Sequence, residues 1–115
     1  MPVLSVSLIA FTHFRFLVEG FCKVLYCYEL QIRQDHARLG LGKRLMTLLE
    51  IIARKFQMDY VMLTVLLNNT GAQKFYRALG YSLDETSPQL DIEDGVSDSE
   101  NTPYEILSKK MSVLK

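Results

Sequence analysis

The stretch Asn69-Thr70-Gly71-Ala72-Gln73-Lys74-Phe75-Tyr76-Arg77-Ala78-Leu79-Gly80-Tyr81 carries the densest signal in this chain. Asn68 to Gly71 is turn and cap chemistry, with short polar side chains suited to bonding the free amides of a first helical turn. Ala72 to Leu79 then reads as a short helix. Gly80 is its expected cap, because glycine takes the left-handed conformation at little cost. Tyr81 to Asp84 starts a strand.

Working upstream, Asp59 precedes Tyr60 to Leu67 (YVMLTVLL), which is apolar almost throughout, as a strand covered on both faces would be. Before it, Leu41, Leu45, Leu48, Ile52 and Phe56 recur at helical spacing, while Lys43, Arg44, Thr47, Arg54 and Lys55 lie largely elsewhere. The pair Gly40 and Gly42 opens that helix. Leu8 to Phe16 (LIAFTHFRF) and Val24 to Ile32 (VLYCYELQI) read as strands joined through the Glu19-Gly20 turn signal, hence an antiparallel hairpin. Downstream, Tyr104 to Lys110 (YEILSKK) forms a last strand. The order is β-β-α-β-α-β-loop-β, with no internal repeat and no second domain.

The whole of 1–115 is short enough for one domain with one modest core. Its apolar runs are too short to span a bilayer, so no membrane is expected. Met1 to Ala10 lacks the basic flank of a secretory signal, which makes an intracellular location the expectation. Cys22 and Cys27 have no partners at zinc spacing; both read as free and structural, and no metal is expected. Net charge is zero, but the seven acids between Asp84 and Glu100 stand without a Lys or Arg among them. With its Ser, Pro, Asp and Gly content, 84–103 reads as an acidic, flexible loop. The remainder is basic and suits an anionic ligand, while an acidic loop suits a basic partner. The basic residues are scattered without aromatic interleaving, which argues against direct nucleic-acid binding.

A glycine turn feeding a basic helix start is physically suited to phosphates, because the first amides of a helix are unpaired and the helix dipole adds positive charge. Arg38, Lys43 and Arg44 add to it. A Walker loop is excluded by its spacing and by Arg44 after Lys43; a dinucleotide fingerprint is excluded by Leu45 where a third glycine belongs.

Taken together, the Gly40-Leu41-Gly42 loop and the later Asn69 to Tyr81 helix resemble the GNAT acetyltransferases. That family pairs a Gln/Arg-x-x-Gly-x-Gly/Ala loop with an Asn-x-x-Ala-x-x-Phe-Tyr helix ending in Leu-Gly-Phe or Tyr. The resemblance implies an α/β GNAT fold, a mixed β-sheet flanked by helices, with acetyl-CoA as cosubstrate. It implies that Arg38 and the amides of Leu39, Gly40, Leu41, Gly42 and Lys43 hold a pyrophosphate. The backbone of Leu30, Gln31 and Ile32 would bind the pantetheine arm, and Asn69 and Tyr76 would lie near the thioester. One departure is Ala37, where the family has Gln or Arg. A full domain of this family begins with a strand, two helices and a further strand before the hairpin. Ten residues cannot hold them, so the chain is expected to be a partial GNAT domain lacking the first strand and first two helices.

Within the family, LIAFTHFRF, VLYCYELQI, GLGKRLM, QMDYVMLTV and YEILSKK look like the NatD group, which acetylates the amino termini of histones beginning Ser-Gly-Arg-Gly. That likeness implies protein amino termini as substrates, a place in nucleus and cytoplasm, and no obligate partner. An α-amine has a pKa of about 8 and arrives mostly protonated, so the reaction needs a base. Glu29 is the expected base, with Tyr26 and Tyr28 as catalytic hydroxyls; Glu19, Tyr28 and Tyr104 are the expected substrate contacts. NatD-like enzymes carry two acids after the first of these strands, whereas Leu17-Val18-Glu19 retains one. Strand parity places Tyr26 and Tyr28 opposite Glu29, so a shared site needs a bulge or a splay. Tyr76 reads equally as a general acid or a core aromatic. Two alternatives stay open: a CoA-binding or interaction module without turnover, and a GNAT acting on lysine or small amines.

Overall fold

The computed structural model describes residues 8–37, 39–90 and 103–111. Strands β1 (Ala10–Glu19) and β2 (Cys22–Ile32) form the hairpin, and a 3-10 turn (Gln34–His36) leads into helix α1 (Leu41–Lys55). Then come β3 (Tyr60–Leu66), α2 (Thr70–Ala78), the short β4 (Ser82–Leu83), a second 3-10 turn (Pro88–Leu90) and β5 (Tyr104–Lys110). The expected element order holds. The hairpin strands run further toward their turn than expected, because cross-strand pairing continues to Glu19 and Cys22.

The strands form one mixed sheet in the order β1-β2-β3-β5-β4. Among the described strands only β2 and β3 pair in parallel, as the α1 crossover between them requires. Both helices pack on one face of the sheet. Leu25, Cys27, Met46, Leu49, Ala53, Val61, Leu63, Val65 and Leu107 form the core there, with Ala72, Phe75, Tyr76 and Leu79 of α2 against it. The other face is open along much of its length: Thr64 and Leu66 of β3 are exposed, contrary to the reading of a strand covered on both sides.

Two features control the geometry that follows. Parallel pairing between β2 and β3 covers only Val24–Cys27 against Tyr60–Leu63, after which the strands part. Just there β2 bulges: Cys27 pairs with Phe14 and Glu29 with His13, which leaves Tyr28 without a partner on β1. A bulge bends its strand and shifts its side-chain alternation by one residue. Cys27 therefore faces the helices, Tyr28 and Glu29 both face away, and Leu30 faces in again.

Residues 91–102 of the acidic loop, like Arg38, lie outside the described residues. The start of that loop is hydrogen-bonded to the sheet. The Asp84 amide donates to the Ile106 carbonyl, the Ile106 amide to the fully buried Ser87 hydroxyl, and Gln89 Nε2 to the Tyr104 carbonyl. These bonds bind the segment to the outer edge of β5.

Leu63 is 2% exposed and Leu66 is 55% exposed on the same strand. Leu63→Ala is expected to cost about 2–5 kcal/mol in urea unfolding, and Leu66→Ala under about 0.5 kcal/mol. Equal losses would contradict the assignment of faces.

Candidate active site

Helix α1 starts without a side-chain cap. Gly40 sits at φ +75°, and the first hydrogen bond of the helix runs from the Arg44 amide to the Gly40 carbonyl at 3.1 Å. The amides of Leu41, Gly42 and Lys43 therefore belong to the unpaired set that a helix start presents. The Leu39 amide differs, since it already donates to the His36 carbonyl at 3.3 Å. Gly42 has a reason that the motif alone did not show. A Cβ there would stand 3.0 Å from both Ile32 Cδ1 and Phe75 Cζ, so glycine lets α1 close against β2 and α2.

Between these elements lies a cleft of about 810 Å³, lined by Leu30, Gln31 and Ile32 on one wall and by Asn69, Phe75 and Tyr76 on the other. Gly40, Gly42 and Lys43 close one end. Of the other expected cofactor residues, Leu39 lines a neighbouring surface hollow with Lys43 and Arg44, and Leu41 lines neither. The Asn69 carboxamide oxygen caps α2, accepting from the Ala72 amide at 3.1 Å, which leaves its nitrogen available to a ligand. The loop before α1 is braced by Asp35, which accepts from Arg33 Nε at 3.0 Å and lies 2.9 Å from His36 Nδ1.

The cleft continues into the gap between the parted strands, a space of about 230 Å³ bordered by Cys27, Tyr28, Glu29, Thr64, Asn69 and Tyr76. Along it the β3-facing edge of β2 has no strand partner beyond Cys27 among the described residues. An extended chain bearing amides can lie against such an edge, with an anion at the helix start. Burial, and secondarily the nearby Cys27 thiol, pushes the Tyr76 phenol up to about 12, so it stays protonated at neutral pH.

Tyr26 and Tyr28 meet on the open face, with Glu19 and Tyr104 near enough to influence the Tyr26 phenol. The Tyr26 hydroxyl shares a hydrogen bond with the Thr64 hydroxyl. Burial raises the Tyr26 phenol most; the Thr64 bond opposes this, and the charges of Tyr28, Glu19 and Tyr104 add to the rise. Tyr28 stands 4.9 Å from the Tyr26 ring and 5.4 Å from His13, with the Arg15 guanidinium 5.5 Å above its own ring. Glu19 lines a separate cavity of about 310 Å³ with Asp84 and Glu85. Burial pushes the Asp84 carboxyl up, but hydrogen bonds from Ser108 and Thr86 outweigh it and hold it below the usual range.

Thr64, Asp84 and Glu85 were missed as site residues. A lone polar residue within the apolar run Tyr60 to Leu67 was the one available signal for Thr64. Nothing in sequence spacing links Glu19 to Asp84. Among the described residues no group of three or more His, Cys, Asp or Glu gathers to hold a metal.

This mixed α/β fold, with an uncapped glycine helix start beside a splayed pair of parallel strands, is of the GNAT type, and residues 6–81 match the acetyltransferase (GNAT) family. The chain belongs to that family. Its fold is similar to that of Ard1 from Thermoplasma volcanium (TM-score 0.69, 20% identity, 93% of this chain and 64% of that one). It is also similar to Arabidopsis thaliana Naa50 bound to the bisubstrate analogue CoA-Ac-MVNAL (0.67, 20%, 88% and 64%). A nourseothricin acetyltransferase is comparably similar (0.66, 22%, 88% and 58%). At these identities the likeness is one of fold, and the chain spans less than two thirds of each of the three structures.

The Asp35 carboxyl is held down to about 2, first by the Arg33 hydrogen bond and then by that of His36. Its folded pKa lies below the ordinary value, so the brace is complete above about pH 4 and is lost as pH falls through about 2. A carboxyl-carbon NMR titration should show that midpoint for Asp35; one near 3.9 would mean the brace does not form in solution.

Proposed function

We propose that this chain binds acetyl-CoA in the cleft between β2, α1 and α2 and serves the transfer of its acetyl group to a protein amino terminus. The observation that carries this reading is the bulge at Tyr28, which turns Glu29 and Tyr28 to the same side of β2 at the mouth of the strand gap. The ligand suits the residues present. The free amides of Leu41, Gly42 and Lys43, with the Lys43 charge, match a pyrophosphate. The unpartnered edge of Leu30 to Ile32 matches an amide-bearing arm, which lies like an added strand. The bisubstrate analogue on the Naa50 structure joins CoA to a peptide in the same fold.

When bound, acetyl-CoA supplies an acyl group on a thiol leaving group. The chain's own residues handle protons and position. Glu29, exposed and carboxylate-bearing, takes the proton of an arriving ammonium directly or through water. Tyr76, protonated at neutral pH, donates at the inner end of the gap, and Asn69 Nδ2 supplies a hydrogen bond nearby. Tyr26, tied to Thr64, holds the wall on which Tyr28 stacks.

The preferred substrate in this reading is a basic tail beginning Ser-Gly-Arg-Gly, as in the NatD group, which places the protein in nucleus and cytoplasm. Glu19 beside Asp84 and Glu85 supports it, since the cavity they share offers carboxylates to an arginine side chain. A second reading is CoA binding without turnover. It draws on the open face, where Tyr28 is 49% exposed and no described element walls the acceptor side.

Acetyl transfer to a Ser-Gly-Arg-Gly peptide, beside an amino-terminally blocked, lysine-containing peptide, separates these readings. Transfer to the free amino terminus alone is expected. Binding of acetyl-CoA by calorimetry with transfer to neither peptide would favour the second reading. Glu29→Gln should lower turnover by about 10²–10⁴-fold with CoA binding within about twofold; equal loss of both would make Glu29 structural. Glu19→Gln should weaken the arginine peptide by about tenfold, consistent with loss of one charged hydrogen bond. An arginine-to-alanine peptide should be unaffected, and equal effects on both peptides would remove the arginine subsite.

A further inference from the structure

We propose that Thr12 is a positioning residue for Glu29, its hydroxyl locking the β-bulge that sets where the carboxylate stands. This rests on the reading of Glu29 as the base. Thr12 lies on β1, on the face turned toward the helices, across from Leu30. Its hydroxyl donates to the Glu29 carbonyl at 2.9 Å and lies 3.6 Å from Cys27 Sγ. The Cys27 thiol in turn donates to the same carbonyl at 3.7 Å. The contacts thus bracket Tyr28, the one residue of β2 in this stretch without a partner on β1.

A bulge interrupts the ladder locally, so the backbone is held least where Tyr28 and Glu29 sit. A side-chain donor on the Glu29 carbonyl supplies a bond from the neighbouring strand at that point. The stake is large because strand alternation has a period of two. If the bulge moved or was absorbed, Glu29 and Tyr28 would fall on opposite faces and the carboxylate would leave the side of the sheet that carries the tyrosines. The Cys27 thiol is 4% exposed and burial pushes its pKa up against the opposing Thr12 and Glu29 bonds, so it stays neutral and serves as a weak donor. Thr12 makes no contact with the proposed reacting groups, and it acts only through the backbone of Glu29.

The test compares Thr12→Val, which keeps the shape and removes the hydroxyl, with Thr12→Ser, which keeps the hydroxyl. Thr12→Val should lower kcat for the Ser-Gly-Arg-Gly peptide by about tenfold or more, with the KM for acetyl-CoA within about twofold, and Thr12→Ser should restore kcat to within about threefold. Amide hydrogen exchange should quicken about tenfold at Tyr28, Glu29 and Leu30 in Thr12→Val, with α1 and β3 unchanged. An unaltered kcat, or parallel loss of kcat and acetyl-CoA binding, would overturn the proposal. If the unsubstituted chain binds CoA without turnover, the proposed function fails and exchange decides alone. Local quickening in Thr12→Val would uphold the clamp, and unchanged exchange would overturn it.

Discussion

Everything specific about this molecule follows from the point where β2 and β3 stop pairing. Parallel strands hold each other through slanted backbone bonds, and here those bonds end at Cys27 and Leu63. Beyond that point β2 keeps only its antiparallel partner β1, so one row of its backbone polar groups faces a gap. Unpaired strand edges attract a further strand or anything shaped like one. In this chain the gap lies between the core and a helix start with free amides, which turns an edge into a place for an elongated ligand. The bulge at Tyr28 falls within the same few residues. Both features are expressions of one local departure from regular pairing.

The walls of the cleft keep their spacing through buried charge. Glu105, on the helix side of β5, accepts from Gln73 Nε2 at 3.2 Å and from Arg77 at 3.2 and 3.3 Å, which ties α2 to the sheet. Glu50 of α1 accepts from Lys109 Nζ at 2.8 Å and from the Tyr81 hydroxyl at 3.3 Å. Lys109 also donates to the Leu79 carbonyl at the end of α2, where a cation complements the helix dipole. A buried carboxylate is costly unless paired, so these acids specify where their partners stand more than they add to stability. With α1 and α2 fixed to β5 in this way, Ile32 and Phe75 occupy the space that a side chain at position 42 would need, at one end of the cleft.

The open face divides into parts with different chemistry. Around Tyr26 and Tyr28 it is aromatic and hydroxyl-bearing, with Thr64 anchoring the one ring and Arg15 covering the other. Toward the hairpin turn it is acidic, because the Asp84 turn is bonded to Thr86 and Ser108 and so stands beside Glu19. The proposed acceptor, a positively charged tail led by a free amine, would find a carboxylate at each end of this surface. That correspondence motivates the proposed substrate class.

The elements themselves were legible in the amino-acid order. The existence of α1, the cap at Asn69, the left-handed Gly80 and the boundaries of Tyr104 to Lys110 all rest on local forces, which act within a few residues and leave their mark there. The face of α1 was not legible: Met46, Leu49 and Ala53 meet the core, while Leu48 and Phe56 of the expected stripe are exposed. The paired motifs around Gly42 and Tyr76 were sufficient for the family. Tertiary structure alone decided the rest. Strand parity in the sequence separates Tyr28 from Glu29, and only the register against His13 and Phe14 reunites them. The tie of Tyr26 to Thr64, the company of Glu19 with Asp84, and the packing duty of Gly42 each join residues far apart in the chain. Sequence records the preferences of each segment. Where two segments meet is set by the balance of burial and pairing over the whole sheet, and no single segment carries that information.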